Sequence, residues 1–209
     1  MGLEGKNLGC MRGERLLFRD LNFAINGGEA LVLRGANGSG KSSLLKIVAT
    51  LLKQSAGDVR WQDRAISDDP DLYRRQIGYI GHLDAVKAAL SVQENLQQWA
   101  NIFCPGDTQN SARVENAMKI FDIPHLAMTP AQHLSAGQRK RVALARLLLK
   151  PARLWLLDEP TVSLDGDGVA RLAHAIAQHR EQGGLVMAAT HIDLGLNDAQ
   201  ELTIELTAP

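Results

Sequence analysis

The chain is short of cysteine, of long apolar runs and of any excess charge. Its 209 residues include two cysteines, Cys10 and Cys104, which form neither a metal-ligand spacing nor a disulfide framework, so we expect a reduced compartment. Residues 1–13 lack the apolar core of a signal peptide, and no apolar run approaches the roughly 20 residues that span a bilayer. Lys plus Arg and Asp plus Glu both number 23, which argues against nucleic-acid binding driven by bulk charge. If the protein works at a membrane, we expect another chain to hold it there.

What the sequence does contain is a phosphate-binding pattern. An apolar run at 31–33 precedes the letters GANGSGKS and an apolar-striped helix, which is G-x-x-x-x-G-K-[ST] in the strand–loop–helix context of a P-loop. Glycines let successive backbone N–H groups point at phosphate oxygens, and the helix N-terminus adds partial positive charge. We expect Lys41 to reach the β- and γ-phosphates and Ser42 to bind Mg²⁺. The predicted nucleotide-binding residues here are Gly35, Ala36, Asn37, Gly38, Ser39, Gly40, Lys41, Ser42 and Ser43.

A second apolar strand, at 154–157, ends in Asp158 and Glu159. Ligands of open α/β sheets bind at the carboxyl ends of the strands, where these two acids would lie. Asp158 suits Mg²⁺, directly or through water, and Glu159 could accept a proton from an attacking water. Two solvated acids at a strand end would look the same in isolation, but a P-loop in the same chain favours the functional interpretation.

The remaining pattern predicts an α/β fold with a helical insertion. Alternating residues at 3–8 and 21–25 predict strands, and the turn at 26–29 predicts that the second of these is a sheet neighbour of the P-loop strand. Helical patterns follow at 91–103, 111–121 and 135–149. We expect a single domain over 1–209, with an α/β core at 1–87 and 151–209 and a helical subdomain at 88–150.

Three further stretches carry a family resemblance. The letters LSAGQ at 134–138 resemble the LSGGQ signature of ATP-binding-cassette (ABC) ATPases, with Ala136 in place of the first glycine. Residues 163–165 match the D-loop of that family, and the apolar run ending in His191 is similar to its switch-histidine strand. The order and spacing of these motifs fit over nearly the whole chain. The resemblance implies a P-loop NTPase fold with a RecA-like core, an antiparallel β subdomain and a helical subdomain.

The resemblance also implies a mechanism with ATP and Mg²⁺. ABC ATPases form head-to-tail homodimers that enclose two ATP molecules between the P-loop of one copy and the signature of the other. The nucleotide-binding signature residues would be Ser135, Gly137 and Gln138. His191 would contact the γ-phosphate and hold the water that Glu159 polarises.

Two positions depart from the family pattern. The segment at 10–13 has no aromatic residue to stack on adenine, and Arg12 could stack its guanidinium plane instead. The glutamine expected after the apolar run at 77–80 is replaced by His82, which we include among the catalytic residues together with Lys41, Glu159 and His191. Neutral imidazole offers one acceptor and one donor, as the glutamine amide does.

The histidine at position 82, the LSAGQ variant and the runs LWLLDEP and EQGGLV resemble the ATPase subunits of bacterial cytochrome c maturation systems. That resemblance implies a peripheral protein on the cytoplasmic face of the inner membrane, bound to a membrane-spanning subunit. Its ATPase would energise haem export or release of haem from a chaperone, with no nucleic-acid partner. The alternatives are an ATPase subunit of another ABC exporter and a soluble ABC ATPase. The sequence shows no haem-ligand set, so we do not expect this subunit to bind haem.

Overall fold

The computed structural model describes residues 2–196 and 198–205, and the chain divides into two compact units. The core unit comprises the described residues up to 79, residues 152–159 and those from 178 onward, and the helical unit comprises residues 80–151 and 160–177. In chain order the strands are β1 Gly2–Arg12, β2 Arg15–Asn26, β3 Ala30–Arg34, β4 Ala56–Trp61, β5 Arg64–Ala65, β6 Ile77–Ile80, β7 Leu154–Asp158, β8 Leu185–Ala189 and β9 Gln200–Thr203. The α-helices are α1 Lys41–Val48, α2 Pro70–Arg75, α3 Val92–Phe103, α4 Asn110–Ile120, α5 Ala136–Ala145 and α6 Gly166–Glu181.

A four-stranded antiparallel sheet with strand order β2-β1-β4-β5 forms one layer of the core unit. β1 and β2 form a long hairpin that pairs from Gly2 with Asn26 to Arg12 with Arg15. The hairpin has several register shifts. This sheet confirms the antiparallel β subdomain that the family resemblance implied.

The second sheet contains the P-loop strand and has the order β6-β7-β8-β3-β9. β3 pairs in parallel with β8 and with β9, and β7 pairs in parallel with β8. The prediction that the strand before the 26–29 turn neighbours the P-loop strand is therefore wrong, because β2 pairs with β1 in the other sheet. The apolar letters ALVL suit a strand between two parallel partners with both faces covered.

The hydrophobic core of this unit lies between the two sheets and α1. Leu44, Leu45, Ile47 and Val48 of α1 are buried against apolar residues of β3, β7 and β8. The wide apolar face that the sequence showed after Lys41 is thus the face that fixes α1 on the sheet.

Helices α3, α4 and α5 pack against each other in the helical unit. The three helical patterns are confirmed, with the third ending as an α-helix at Ala145 and continuing as a 3-10 turn at Arg146–Leu149. Ser91 caps α3 in a capping box with Glu94. The predicted boundaries of the helical subdomain, at residues 88 and 150, stay a prediction. None of the helices at 2–196 and 198–205 is long and apolar enough to cross a membrane.

Candidate active site

Parallel pairing brings the P-loop, the acidic pair and the switch histidine to one edge of the second sheet. Leu33 of β3 and Asp158 of β7 are both in register with Ala189 of β8. The chain leaves these three strands towards the same edge, so the P-loop follows β3, Glu159 follows β7 and His191 follows β8. This is the edge at which open α/β sheets bind ligands.

The P-loop curls through backbone angles that require glycine at two points. Gly40 precedes α1 with φ of 112°, and Gly35 has φ of 136°. A Cβ atom on Gly35 would overlap the Ile204 carbonyl, and one on Gly40 would lie 2.9 Å from the Phe18 ring. No larger residue fits either position without moving a neighbour.

Two side chains of this loop point into the cradle that it forms. The buried Lys41 donates from Nζ to the carbonyls of Gly35 at 2.7 Å and Ala36 at 3.1 Å. Ser39 is also buried, and within 2–196 and 198–205 its hydroxyl is a buried polar atom without a hydrogen-bond partner. Buried hydroxyls are normally paired, so an unsatisfied one beside a buried ammonium suits a loop that receives anionic oxygens.

Ser42 and Asp158 form the oxygen pair predicted for the metal. The Ser42 hydroxyl donates to Oδ1 of Asp158 at 2.7 Å, although the residues are 116 positions apart in the sequence. Asp158 is buried at the end of β7. Close to it, Tyr79 has its pKa raised to about 12 by burial and by the Asp158 charge. Hard oxygen donors with one carboxylate are what Mg²⁺ uses when phosphates complete its coordination.

Glu159, which follows Asp158, lies close to His191. His191 Nε2 lies 3.5 Å from Glu159 Oε1. Glu159 adopts a left-handed conformation with φ of 47°, and its backbone N–H donates to the Ala189 carbonyl at 2.9 Å. A non-glycine residue with positive φ is strained, and here the bend turns the carboxylate out of the strand towards the histidine.

The signature residues lie in the helical unit, at the start of α5. Ser135 and Gln138 form a capping box, in which the Ser135 hydroxyl accepts from the Gln138 N–H at 3.2 Å and Gln138 Oε1 accepts from the Ser135 N–H at 2.9 Å. The side chain of Gln138 is therefore used in capping. Gly137 lies against the D-loop, since a Cβ there would be 2.8 Å from the Ser163 carbonyl oxygen.

Arg141 ties the signature helix to the D-loop. Its guanidinium donates to Asp165 at 2.7 Å and to Asp167 at 3.1 Å. Burial alone would lower the pKa of Arg141, but these two carboxylates raise it overall. A cavity of about 430 Å³ lies beside this pair of elements, and Ser135 and Gly137 are among its lining residues.

The two departures from the family pattern lie in different units. Arg12 is exposed at the tip of the β1–β2 hairpin. The neighbouring Cys10 is buried, and the nearby Ser43 side chain in α1 lowers the pKa that burial raises, which places this end of the hairpin beside the P-loop helix. His82 is exposed in a segment of the helical unit without regular secondary structure.

Two residues of this arrangement were not predicted. Tyr79 falls in the apolar run at 77–80 and Arg141 in the helical pattern at 135–149, and the sequence assigned neither residue a role. The basic run 139–141 was the available signal for Arg141, but its acidic partners follow more than twenty residues later. Tyr79 carries no local signal, because its relation to Asp158 arises from the pairing of two strands.

The family model, the similar sequences and the similar solved structure all belong to ATP-binding cassette proteins. A family model described as "ABC transporter" matches residues 18–162. The chain is 46% identical over 200 residues to the cytochrome c biogenesis ATP-binding export protein CcmA of Paramagnetospirillum magneticum, covering 96% of this chain and 92% of that protein. It is 45% identical over 205 residues to the protein of the same name from Rhodospirillum rubrum, covering 98% and 86%. Among solved structures, a dimeric post-hydrolysis state of the ATP-binding cassette MJ0796 bound to ADP and phosphate is similar at 25% identity, with a TM-score of 0.85 over 99% of this chain and 97% of that chain.

Proposed function

Because the chain belongs to the ABC transporter family of ATP-binding subunits, we propose that it is the ATPase of a membrane complex in c-type cytochrome biogenesis. ATP hydrolysis is the activity of this family. The role in cytochrome maturation is supported by relatives that are 45–46% identical over nearly the whole chain and carry that role in their names. In the complex, the ATPase would energise haem export or the release of haem from a chaperone.

The P-loop supplies the phosphate site in this proposal. Lys41, already directed at the loop carbonyls, would turn its ammonium to the β- and γ-phosphates. The free N–H groups at the start of α1 add partial positive charge on the same side. The orphaned Ser39 hydroxyl fits the same cradle.

Mg²⁺ would be held by Ser42 and Asp158. Their oxygens are 2.7 Å apart and belong to a hydroxyl and a carboxylate, the donor types that this ion prefers. When bound, the ion neutralises negative charge on the phosphate oxygens. Asp158 keeps the Ser42 side chain directed at the sheet edge, so this hydrogen bond preorganises the pair.

Glu159 and His191 would act on the attacking water. The observation that carries the assignment is their 3.5 Å contact at the edge where the P-loop also begins. The Glu159 carboxylate would accept the proton of the water. His191 would hold that water and contact the γ-phosphate, and His82 would contribute a further acceptor or donor from its loop.

The ATP site would be completed by a second copy of the chain. The exposed N–H groups at the start of α5, together with the hydroxyl of Ser135, would bind the γ-phosphate held at the partner subunit's Lys41. Because Gly137 has no side chain, the backbones of the signature and the D-loop lie close together there. The similar MJ0796 cassette is a dimer with ADP and phosphate bound, which supports this arrangement.

The membrane partner would dock on the helical unit, and the complex would hold this chain at the cytoplasmic face of the inner membrane. We define the docking surface as Leu83, Trp99, Ile102 and Phe103. Leu83 is 81% exposed and Ile102 is 63% exposed, and the rings of Trp99 and Phe103 stack at 5.3 Å on the same face of α3. The two rings are half-buried, and large exposed apolar side chains such as Leu83 and Ile102 are typical of protein interfaces.

Glu159→Gln tests the dimer and the general base together. We expect ATP binding to persist, hydrolysis to slow by at least ~10²-fold, in the usual range for a lost general base, and light scattering to show a dimer with ATP and Mg²⁺. Glu115→Gln removes a carboxylate from a surface pair with Lys119 and should behave as wild type. A Glu159→Gln protein that stays monomeric with ATP would contradict the two-copy site.

Leu83→Ser tests the docking surface. Recovery with membranes that contain the partner should fall, whereas ATP binding in solution should be unchanged. Met128→Ser provides the control, since Met128 is 79% exposed and is not part of the docking surface. Equal recovery of the two variants would place the docking site elsewhere.

A further inference from the structure

The segment between β6 and α3, residues 81–90, lacks regular secondary structure and is held in place by side chains. Its second half is fixed by the buried Asn95, whose side chain accepts from the Lys87 N–H at 2.7 Å and donates to the carbonyls of Lys87 at 3.0 Å and Leu90 at 3.1 Å. Its first half, which begins with the predicted catalytic His82 and the exposed Leu83, is held differently.

Arg146 and Trp99 hold that first half. The buried Arg146 donates from Nη1 to the carbonyls of Asp84 at 3.0 Å and Ala85 at 3.4 Å. Its guanidinium carbon lies 4.7 Å from the centre of the Trp99 ring, and the indole N–H of Trp99 donates to the Ala85 carbonyl at 3.4 Å. One planar cation therefore joins the segment to the docking surface on α3.

Ala85 shows that this arrangement constrains the backbone. It has φ of 52°, a left-handed conformation that an L residue with a Cβ rarely adopts. Such a conformation persists when its surroundings fix it, and the surroundings here are the two donors on the Ala85 carbonyl. Release of Arg146 would leave the segment free to relax.

Arg146 also lies at the far end of the signature helix. It follows Ala145, the last residue of α5, and Ser135 caps the other end. The ten residues of α5 span about 15 Å. Because a helix of this length moves as a rigid element, a displacement of Asp84 and Ala85 would be passed through Arg146 to the signature.

We propose that Arg146 is a positioning residue that couples segment 82–86 to the signature helix, so that a partner bound at the docking surface alters ATP hydrolysis through Arg146 and Trp99. The inference rests on the proposed function, because it assumes that a membrane partner binds there. Arg146 does not contact the nucleotide in this proposal. It fixes the carbonyls that follow His82 and links them to the helix that begins at Ser135.

The test compares Arg146→Lys and Trp99→Leu with wild type, as purified chain and as reconstituted complex with the membrane subunits. Lysine keeps the charge but loses the planar fork that reaches two carbonyls and stacks on the ring. We expect the KM for ATP of isolated Arg146→Lys to stay close to that of wild type. The ratio of kcat in the complex to kcat of the isolated chain should fall roughly fivefold or more, the low end of common coupling strengths. Arg113→Lys, which alters a half-buried pair with Asp107 in the same unit, should leave the ratio unchanged.

Amide hydrogen exchange provides a readout that needs no partner. Residues 82–86 should exchange faster in both variants, while the P-loop helix α1 exchanges as in wild type. If wild type responds to the membrane subunits and both variants keep the full response, the inference is overturned and the proposed function stands. If wild type itself shows no response, the proposed function fails, and the coupling role of Arg146 fails with it.

Discussion

The stacked pair of His179 and Trp155 predicts a loss of stability in acid. The two rings lie 4.0 Å apart and are almost parallel, with an interplanar angle of 5°. Nε2 of His179 is buried without a hydrogen-bond partner among the described residues. Burial is the main reason that the pKa of His179 falls from 6.5 to about 4, although backbone hydrogen bonds with Leu185 and Arg153 raise it somewhat.

A histidine whose pKa is lowered by folding takes up its proton first in the unfolded chain. The stability it confers is present above pH 6.5 and is lost as the pH falls towards 4. The shift corresponds to at most about 3 kcal/mol, of which about 2 kcal/mol would be lost by roughly pH 5. His179→Phe keeps a flat ring beside Trp155 and removes the proton, so it should flatten the acid side of the stability profile.

Urea unfolding of wild type and His179→Phe, at several pH values between about 8 and 5, measures this difference. The slope of the unfolding free energy against pH is the quantity to compare. The absolute values will differ, because the larger phenylalanine ring packs close to Gly184. His174→Gln removes an exposed histidine from the same helix and should keep the wild-type slope. Equal slopes in wild type and His179→Phe would refute the assignment of acid sensitivity to His179.

Three further variants probe the active site. Gly137→Ala should lower kcat roughly fivefold or more, because a Cβ 2.8 Å from the Ser163 carbonyl forces an overpacking cost of about 1–3 kcal/mol. Ala136→Gly should be nearly silent, and steady-state kinetics of the pair tests the contact. Ser42→Ala should raise the Mg²⁺ concentration needed for half-maximal hydrolysis, since it removes one oxygen of the proposed metal pair; an unchanged Mg²⁺ titration would exclude that role. His82→Gln should retain hydrolysis, because the amide offers one acceptor and one donor as neutral imidazole does, whereas His82→Ala should lose much of kcat. Equal kcat values for wild type and both variants would show that His82 only fills its loop.

The parts of the site that the sequence predicted are those encoded in short contiguous patterns. The P-loop and the acid pair after β7 each combine a strand, a turn and fixed residue types within about ten positions, so local chemistry suffices to find them. Their meeting at one edge followed from the parallel-sheet rule and is confirmed by the shared register with Ala189.

The parts that it did not predict depend on pairings between distant residues. The turn at 26–29 predicted that β2 and β3 are sheet neighbours, but β3 pairs with β8 and β9, and its Arg34 bonds Glu201 across 167 positions. The short helix α2 was missed, although Asp69 and Pro70 provide a capping residue and a first-turn proline. The contacts of Arg141 and Arg146 arise from tertiary packing, and no pattern within either helix specifies the partner.

The two cysteines differ in a way that makes the chain convenient for labelling. Burial raises the pKa of the Cys10 thiol, which is 1% exposed. Cys104 is half-buried and directly follows Phe103, the last residue of α3. Because thiolates are the species that react with maleimides, a dye should attach to Cys104 well before Cys10. Fluorescence from that single position, one residue beyond the docking surface, would follow partner binding in a chain with no engineered cysteine.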